Sequence, residues 1–139
     1  MEDNMREYAA RIQKEFDAVI ELGHYTTFGD ARKAGNVDFS EFGLGSEGDD
    51  QDARDLQFQW IESRLLEVAV YKHTLHDEGH TPIVWLLLGC GGPTTRVCID
   101  QWDGVTLHHS WGKDDNGKPC TVWPLVLDAD ELRSLFVPE

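Results

Sequence analysis

The chain has 139 residues and carries 26 Asp and Glu against 12 Lys and Arg, a formal charge of −14. A hydrophobic content of 40%, with five Trp, six Phe and three Tyr, supplies a core and excludes general disorder. The charge excludes a direct nucleic-acid binder, which would neutralise phosphates with Lys and Arg, and disfavours an anionic membrane surface.

The length predicts a single α+β domain over residues 1–139. Met5, Tyr8, Ile12, Phe16, Val19 and Ile20 recur at helical spacing, so the chain opens on an amphipathic helix. Gly23 is the expected stop, taking the left-handed conformation past the helix end. From His24 the pattern is poor. Asp30–Ala34 predicts one short helical turn, and an acidic loop at about 35–55 is punctuated by Gly35, Gly43, Gly45 and Gly48. Between Asp38 and Asp55 stand Asp38, Glu41, Glu47, Asp49, Asp50, Asp52 and Asp55 against the single base Arg54, so this stretch holds 1 − 7 = −6 of the −14. The remaining excess is spread thinly. A second helix is expected over Asp52–Arg64, capped by Asp50 or Asp52, with Leu56, Trp60 and Ile61 on its buried side.

Beyond Leu65 the β-branched residues and Tyr of Glu67–Leu75 favour a strand, and His76–His80 a turn. Pro82–Leu88 is apolar at both alternating sets, which predicts a central strand covered on both faces. Gly89–Pro93 breaks it. Arg96–Trp102 and Val105–Trp111 read as strands joined by a two-residue Asp103-Gly104 turn, and Asn116-Gly117 closes a further hairpin onto Cys120–Trp123. Asp128–Phe136 reads as a short capped helix. The predicted architecture is N-terminal helices packed on a four- to five-stranded antiparallel meander, with a short C-terminal helix.

Catalytic signals are sparse. His73, His76, Asp77 and His80 form the most enzyme-like cluster, a set of zinc-compatible donors whose spacing matches no established zinc signature; solvated turn histidines are the simpler account. His108 and His109 are strand neighbours pointing to opposite faces, one expected packed and the other wet. Cys90, Cys98 and Cys120 are an odd number without a CxxC pair, which fits a reducing compartment and no disulfide framework. No Gly-rich phosphate loop and no nucleophile in a catalytic setting is present, so neither metal nor cofactor is assigned and the chain is read as a non-enzyme. The acidic N-terminus lacks the order of a signal peptide, and Ile83–Leu88, the longest apolar run, is too short for a membrane span. Trp102, beside a hairpin tip, suits an interface anchor.

Trp85–Val97, with its Gly91-Gly92-Pro93 and Arg96-Val97, followed by Trp102-Asp103-Gly104 and Ser110-Trp111-Gly112, resembles a motif of small uncharacterised phage and prophage proteins. The resemblance covers about a fifth of the chain and transfers no catalytic residue. It implies a mobile-element origin, and small acidic proteins of that origin resemble inhibitors of host defence such as anti-CRISPR and antirestriction proteins. The resulting expectation is an acidic inhibitor in the host cytoplasm. It would use Asp38, Glu41, Glu47, Asp49, Asp50, Asp52, Asp55 and Trp102 to bind a basic protein surface, such as a CRISPR effector subunit or another nucleic-acid-binding protein, and block target DNA. The alternatives are a metal-dependent enzyme built on His73–His80, and a phage structural or regulatory protein with another partner.

Overall fold

A computed structural model of the chain describes residues 2–45, 48–71, 82–89, 93–111 and 121–137. The architecture is α+β: helices first, then a five-stranded antiparallel sheet, then a short C-terminal helix. The chain divides into two compact units, Met1–Arg64 and Leu65–Glu139.

In the first unit, helix α1 (Glu2–Leu22) buries Ile12, Phe16, Val19 and Ile20 of the stripe that its spacing predicts and half-buries Tyr8, and Leu22 is buried with them. Its last four carbonyls are all satisfied, as a buried helix end requires. Gly23, His24 and Tyr25 donate their backbone N–H to Ile20, Glu21 and Leu22, and the Gln57 side-chain amide donates to the Val19 carbonyl at 2.8 Å. Gly23 does end the helix, but without the left-handed conformation expected of it. Its value is the missing Cβ, which would lie 2.7 Å from Gln57 Nε2.

Helix α2 (Phe28–Ala34) is longer than the single turn expected, starting on the Thr27 hydroxyl and ending at left-handed Gly35. Helix α3 (Ala53–Arg64) starts where Asp52 accepts from the Asp55 N–H at 3.0 Å. Its buried side holds Leu56 and Trp60 as expected, together with the polar Gln57, whereas Ile61 is only half-buried.

The stretch expected to be a loop is an ordered connector wherever it is described. Phe39–Phe42 forms a short 3-10 helix capped by Asp38, and Phe39 joins Leu22, Phe28, Ala31 and Leu56 in one apolar cluster flanked by Val37, Phe42 and Leu44. Phe28 and Phe39 meet edge to face at 5.5 Å. Gly45, at φ +76°, is obligatory, because a Cβ there would lie 2.2 Å from the Phe28 ring. Backbone bonds from Phe28 N to Gln51 O, Gly29 N to Asp49 O and Ala53 N to Thr26 O fasten the far end of the connector to the start of α2.

The second unit is a meander in the order β1-β2-β3-β4-β5: β1 (Glu67–Tyr71), β2 (Ile83–Gly89), β3 (Pro93–Ile99), β4 (Val105–Trp111) and β5 (Thr121–Leu125). Val84, Leu86, Val97, Ile99, Val105, Leu107 and Leu125 share one face by register and are buried. Strand β2 is therefore not covered equally on both sides: Val84, Leu86 and Leu88 are buried, whereas Ile83, Trp85 and Leu87 are half-buried. Helix α4 (Ala129–Ser134) is capped by Asp128 as expected.

The β3–β4 connection corrects the two-residue turn. Ile99 pairs with Val105, so residues 100–104 form the loop and Trp102 lies outside the strand. Only one of the two expected turn positions, Asp103 at φ +66°, is left-handed. The Asp100 carboxylate accepts from the Trp102 and Gly104 backbone N–H groups at 2.8 and 2.9 Å, and the Asp100 N–H donates to the Gly104 carbonyl at 2.9 Å. An Asx-organised turn has replaced the shorter one.

One cation holds this end of the sheet. The Arg133 side chain, only 7% exposed, donates to the Pro82 carbonyl at 3.2 Å, the Asp100 carbonyl at 2.8 Å and the carboxylates of Asp103 and Asp130 at 3.2 Å each. Arg133→Ala should therefore cost about 3 kcal/mol in urea unfolding, since it leaves several acceptors unpaired. Arg133→Lys should recover less than half of this because the fork of donors is lost. Asp130→Asn, at a carboxylate 82% exposed, should change stability by less than about 0.5 kcal/mol.

Candidate functional site

The seven acids of the 38–55 stretch fall into different structural roles. Asp38 caps the 3-10 helix, accepting from the Ser40 hydroxyl and backbone N–H, and these bonds hold its carboxyl below the usual range. Asp52 caps α3. Asp49 receives Arg32 in a bidentate pair, Nε to Oδ1 at 3.0 Å and Nη2 to Oδ2 at 2.7 Å. The hydrogen bond from Arg32 holds the Asp49 carboxyl below its ordinary value, and the same pairing raises the guanidinium. Glu41 lines a cleft of about 360 Å³ with Tyr8, Arg11, Glu15, Phe42 and Arg64. Asp50 and Asp55 are exposed. Glu47 lies outside the described residues.

Within that cleft, a buried charge network has no counterpart in the sequence-based expectations. Glu15 sits on the inward side of α1 and accepts, through one oxygen, from Trp60 Nε1 at 2.8 Å and Arg64 Nε at 3.0 Å. Trp60 in turn meets Phe16 edge to face at 5.1 Å. The signal available in the sequence was a glutamate inside an apolar stripe, with a Trp and an Arg four residues apart on the next long helix. The network ties α3 to α1 within the first unit.

Trp102, the last of the expected partner-binding residues, is 80% exposed at the tip of the β3–β4 hairpin. The structure also gathers Asp103 and Asp130 onto Arg133. This second focus was missed because it is assembled from two segments distant in sequence.

The remaining chemical candidates are accounted for where they are described. Cys98 is buried, and burial with the neighbouring Asp100 pushes its thiol up to about 11, leaving it protonated rather than nucleophilic at neutral pH. His108 and His109 are both half-buried and both partnered, so the packed-and-wet division does not hold. His108 lies against the Trp85 ring at 4.9 Å and shares a hydrogen bond with Thr106, while His109 bonds Thr95 on the other face. Burial and the nearby Arg96 lower the His108 pKa. His73–His80, Cys90, Cys120 and the Asn116-Gly117 turn lie outside the described residues. Among the described residues no group of His, Cys, Asp and Glu is arranged to hold a metal ion, and no helix is long and apolar enough to cross a membrane.

Asp38 and Asp49 titrate below the ordinary carboxylate value of 3.8, so both contribute stability above that pH and lose it as pH falls through their lower folded values. Thermal melts of Asp38→Asn and Asp49→Asn should consequently show a shallower fall in midpoint below about pH 4 than the parent protein. An unchanged slope would show that neither bond matters to acid unfolding.

No protein family matches the chain, and no curated protein or solved structure is similar to it.

Proposed function

We propose that this protein is a non-enzymatic, acidic inhibitor of the anti-CRISPR kind, encoded by a phage, that binds a basic nucleic-acid-binding surface of a host defence complex and excludes target DNA. The observation that carries this reading is the combination of charge and order in the 38–55 stretch. A surface that substitutes for a polyanion needs carboxylates at fixed spacing, because mobile charges lose entropy on docking. Asp38, Asp49 and Asp52 are fixed by caps and by the Arg32 pair, and Asp50 and Asp55 project from the same connector and the first turn of α3. Together with a formal charge of −14, this favours long-range attraction to Lys- and Arg-lined grooves.

Asp50 and Asp55 are the informative positions, since reversing Asp49 or Asp52 would also disturb the fold. In pull-down assays against CRISPR effector complexes, Asp50→Lys/Asp55→Lys should weaken association roughly tenfold at low salt, while urea unfolding falls by no more than about 1 kcal/mol, the cost of a cation in the first turn of α3. Binding should fall as salt rises and as competing target DNA is added. Retention that is indifferent to both salt and DNA would overturn the reading.

A further inference from the structure

We infer that Trp102 and the carboxylates beside it form a docking tip for an arginine-bearing segment of a partner protein, with the indole taking the guanidinium through a cation–π contact. The inference rests on the reading that the protein works by binding a basic protein surface, and assigns it a second contact point with its own chemistry. Among the described residues, Trp102 and Val126 are the most exposed large hydrophobic side chains, at 80% and 87%. They stand at the same end of the sheet: Val105 pairs with Leu125, so Val126 is level with Gly104, inside the loop that carries Trp102. Leaving an indole in water gives up the burial that Trp normally achieves.

The backbone of the tip is held in place before any partner arrives. Asp100 accepts from the Trp102 and Gly104 N–H groups, while Arg133 holds the Asp100 carbonyl and the Asp103 carboxylate. The loop backbone therefore has little conformational entropy left to lose on docking. The charge at this loop, from Asp103 next to Trp102 and from Asp130 on the same arginine, selects the occupant. Asp103 and Asp130 keep 58% and 82% of their side-chain exposure, whereas Arg133, the cation between them, is 7% exposed and offsets only one of their two charges. An anionic lipid surface or a nucleic-acid phosphate would meet carboxylates there, and a second copy would bring the same charge. A guanidinium satisfies both components: it stacks flat on an indole, sheds water more readily than an ammonium, and pairs with a carboxylate at its edge.

The full-length protein, labelled with 15N, tests this by titration with a blocked Gly-Arg-Gly-Arg-Gly peptide. The Trp102 indole N–H resonance, identified by its absence from Trp102→Phe, should shift saturably. Asp130→Asn should weaken the effect roughly two- to fivefold, the scale of exposed cation–π and ion-pair contacts. The lysine analogue should bind more weakly and the glutamate analogue should leave the resonance in place. A Trp102 resonance unmoved at millimolar arginine peptide, equal shifts with the lysine or glutamate analogue, or a shift that follows protein concentration alone would each overturn the assignment. Asp50→Lys/Asp55→Lys separates this outcome from that of the acidic array. If that variant still binds effector complexes like the parent while the Trp102 shift persists, the array has failed and the tip has not.

Discussion

Positive charge is scarce in this chain, with 12 Lys and Arg for 26 carboxylates, and the one arginine buried among the described residues, Arg133, serves several acceptors at once. Arg133 meets two carbonyls and two carboxylates where β2, the β3–β4 loop and α4 come together; Arg64 shares Glu15 with Trp60; Arg32 closes on both oxygens of Asp49. Most carboxylates must then be satisfied by neutral donors or by water. Helix starts offer such donors, because their first N–H groups have no intrahelical partner and their dipole favours negative charge. Asp38, Asp52 and Asp128 occupy such positions. The acidity of the sequence and the placement of its helices are thus two aspects of one constraint.

The residue pattern made α1, α3, α4 and the order of the strands legible, because each has a local signal in spacing, caps or β-branched content. Three features escaped it for identifiable reasons. The 38–55 stretch looks like a loop because Phe39, Phe42 and Leu44 are too few and too close together to give a helical or strand period. Their burial depends on Phe28 and Leu22, which are remote in sequence. The Asp103-Gly104 pair correctly indicates a hairpin but not its length, since the Asp100 side chain supplies backbone bonds that a two-residue turn would lack. The Glu15 network left only partial signals on each helix, and their pairing lies outside any local window because its members belong to two helices.

The candidate site was legible as composition and only partly as geometry. Counting acids locates Asp38 to Asp55, but treats a capping aspartate, an ion-paired one and a free one alike. Their energetic meanings differ. A cap such as Asp52 is coupled to the helix it starts, so its substitution perturbs structure and charge together. Exposed Asp50 and Asp55 contribute chiefly to the field. Trp102 shows the reverse situation: its position near a turn was evident, while the carboxylates that give it a chemical preference arrive only through the tertiary contacts of Arg133.

The meander leaves two edge strands that differ in what they offer to another chain. Strand β5 contains Pro124, which has no N–H to give a further strand, so that edge is a poor template. Strand β1 has no such interruption, and Val68, Val70 and Tyr71 are exposed along it. Pairing two copies through β1 would bring together two molecules of charge −14, whose repulsion is only partly screened at physiological salt. The excess of carboxylates therefore protects against sheet-to-sheet aggregation at the edge without a proline, and that protection weakens as ionic strength rises or as the carboxylates become protonated.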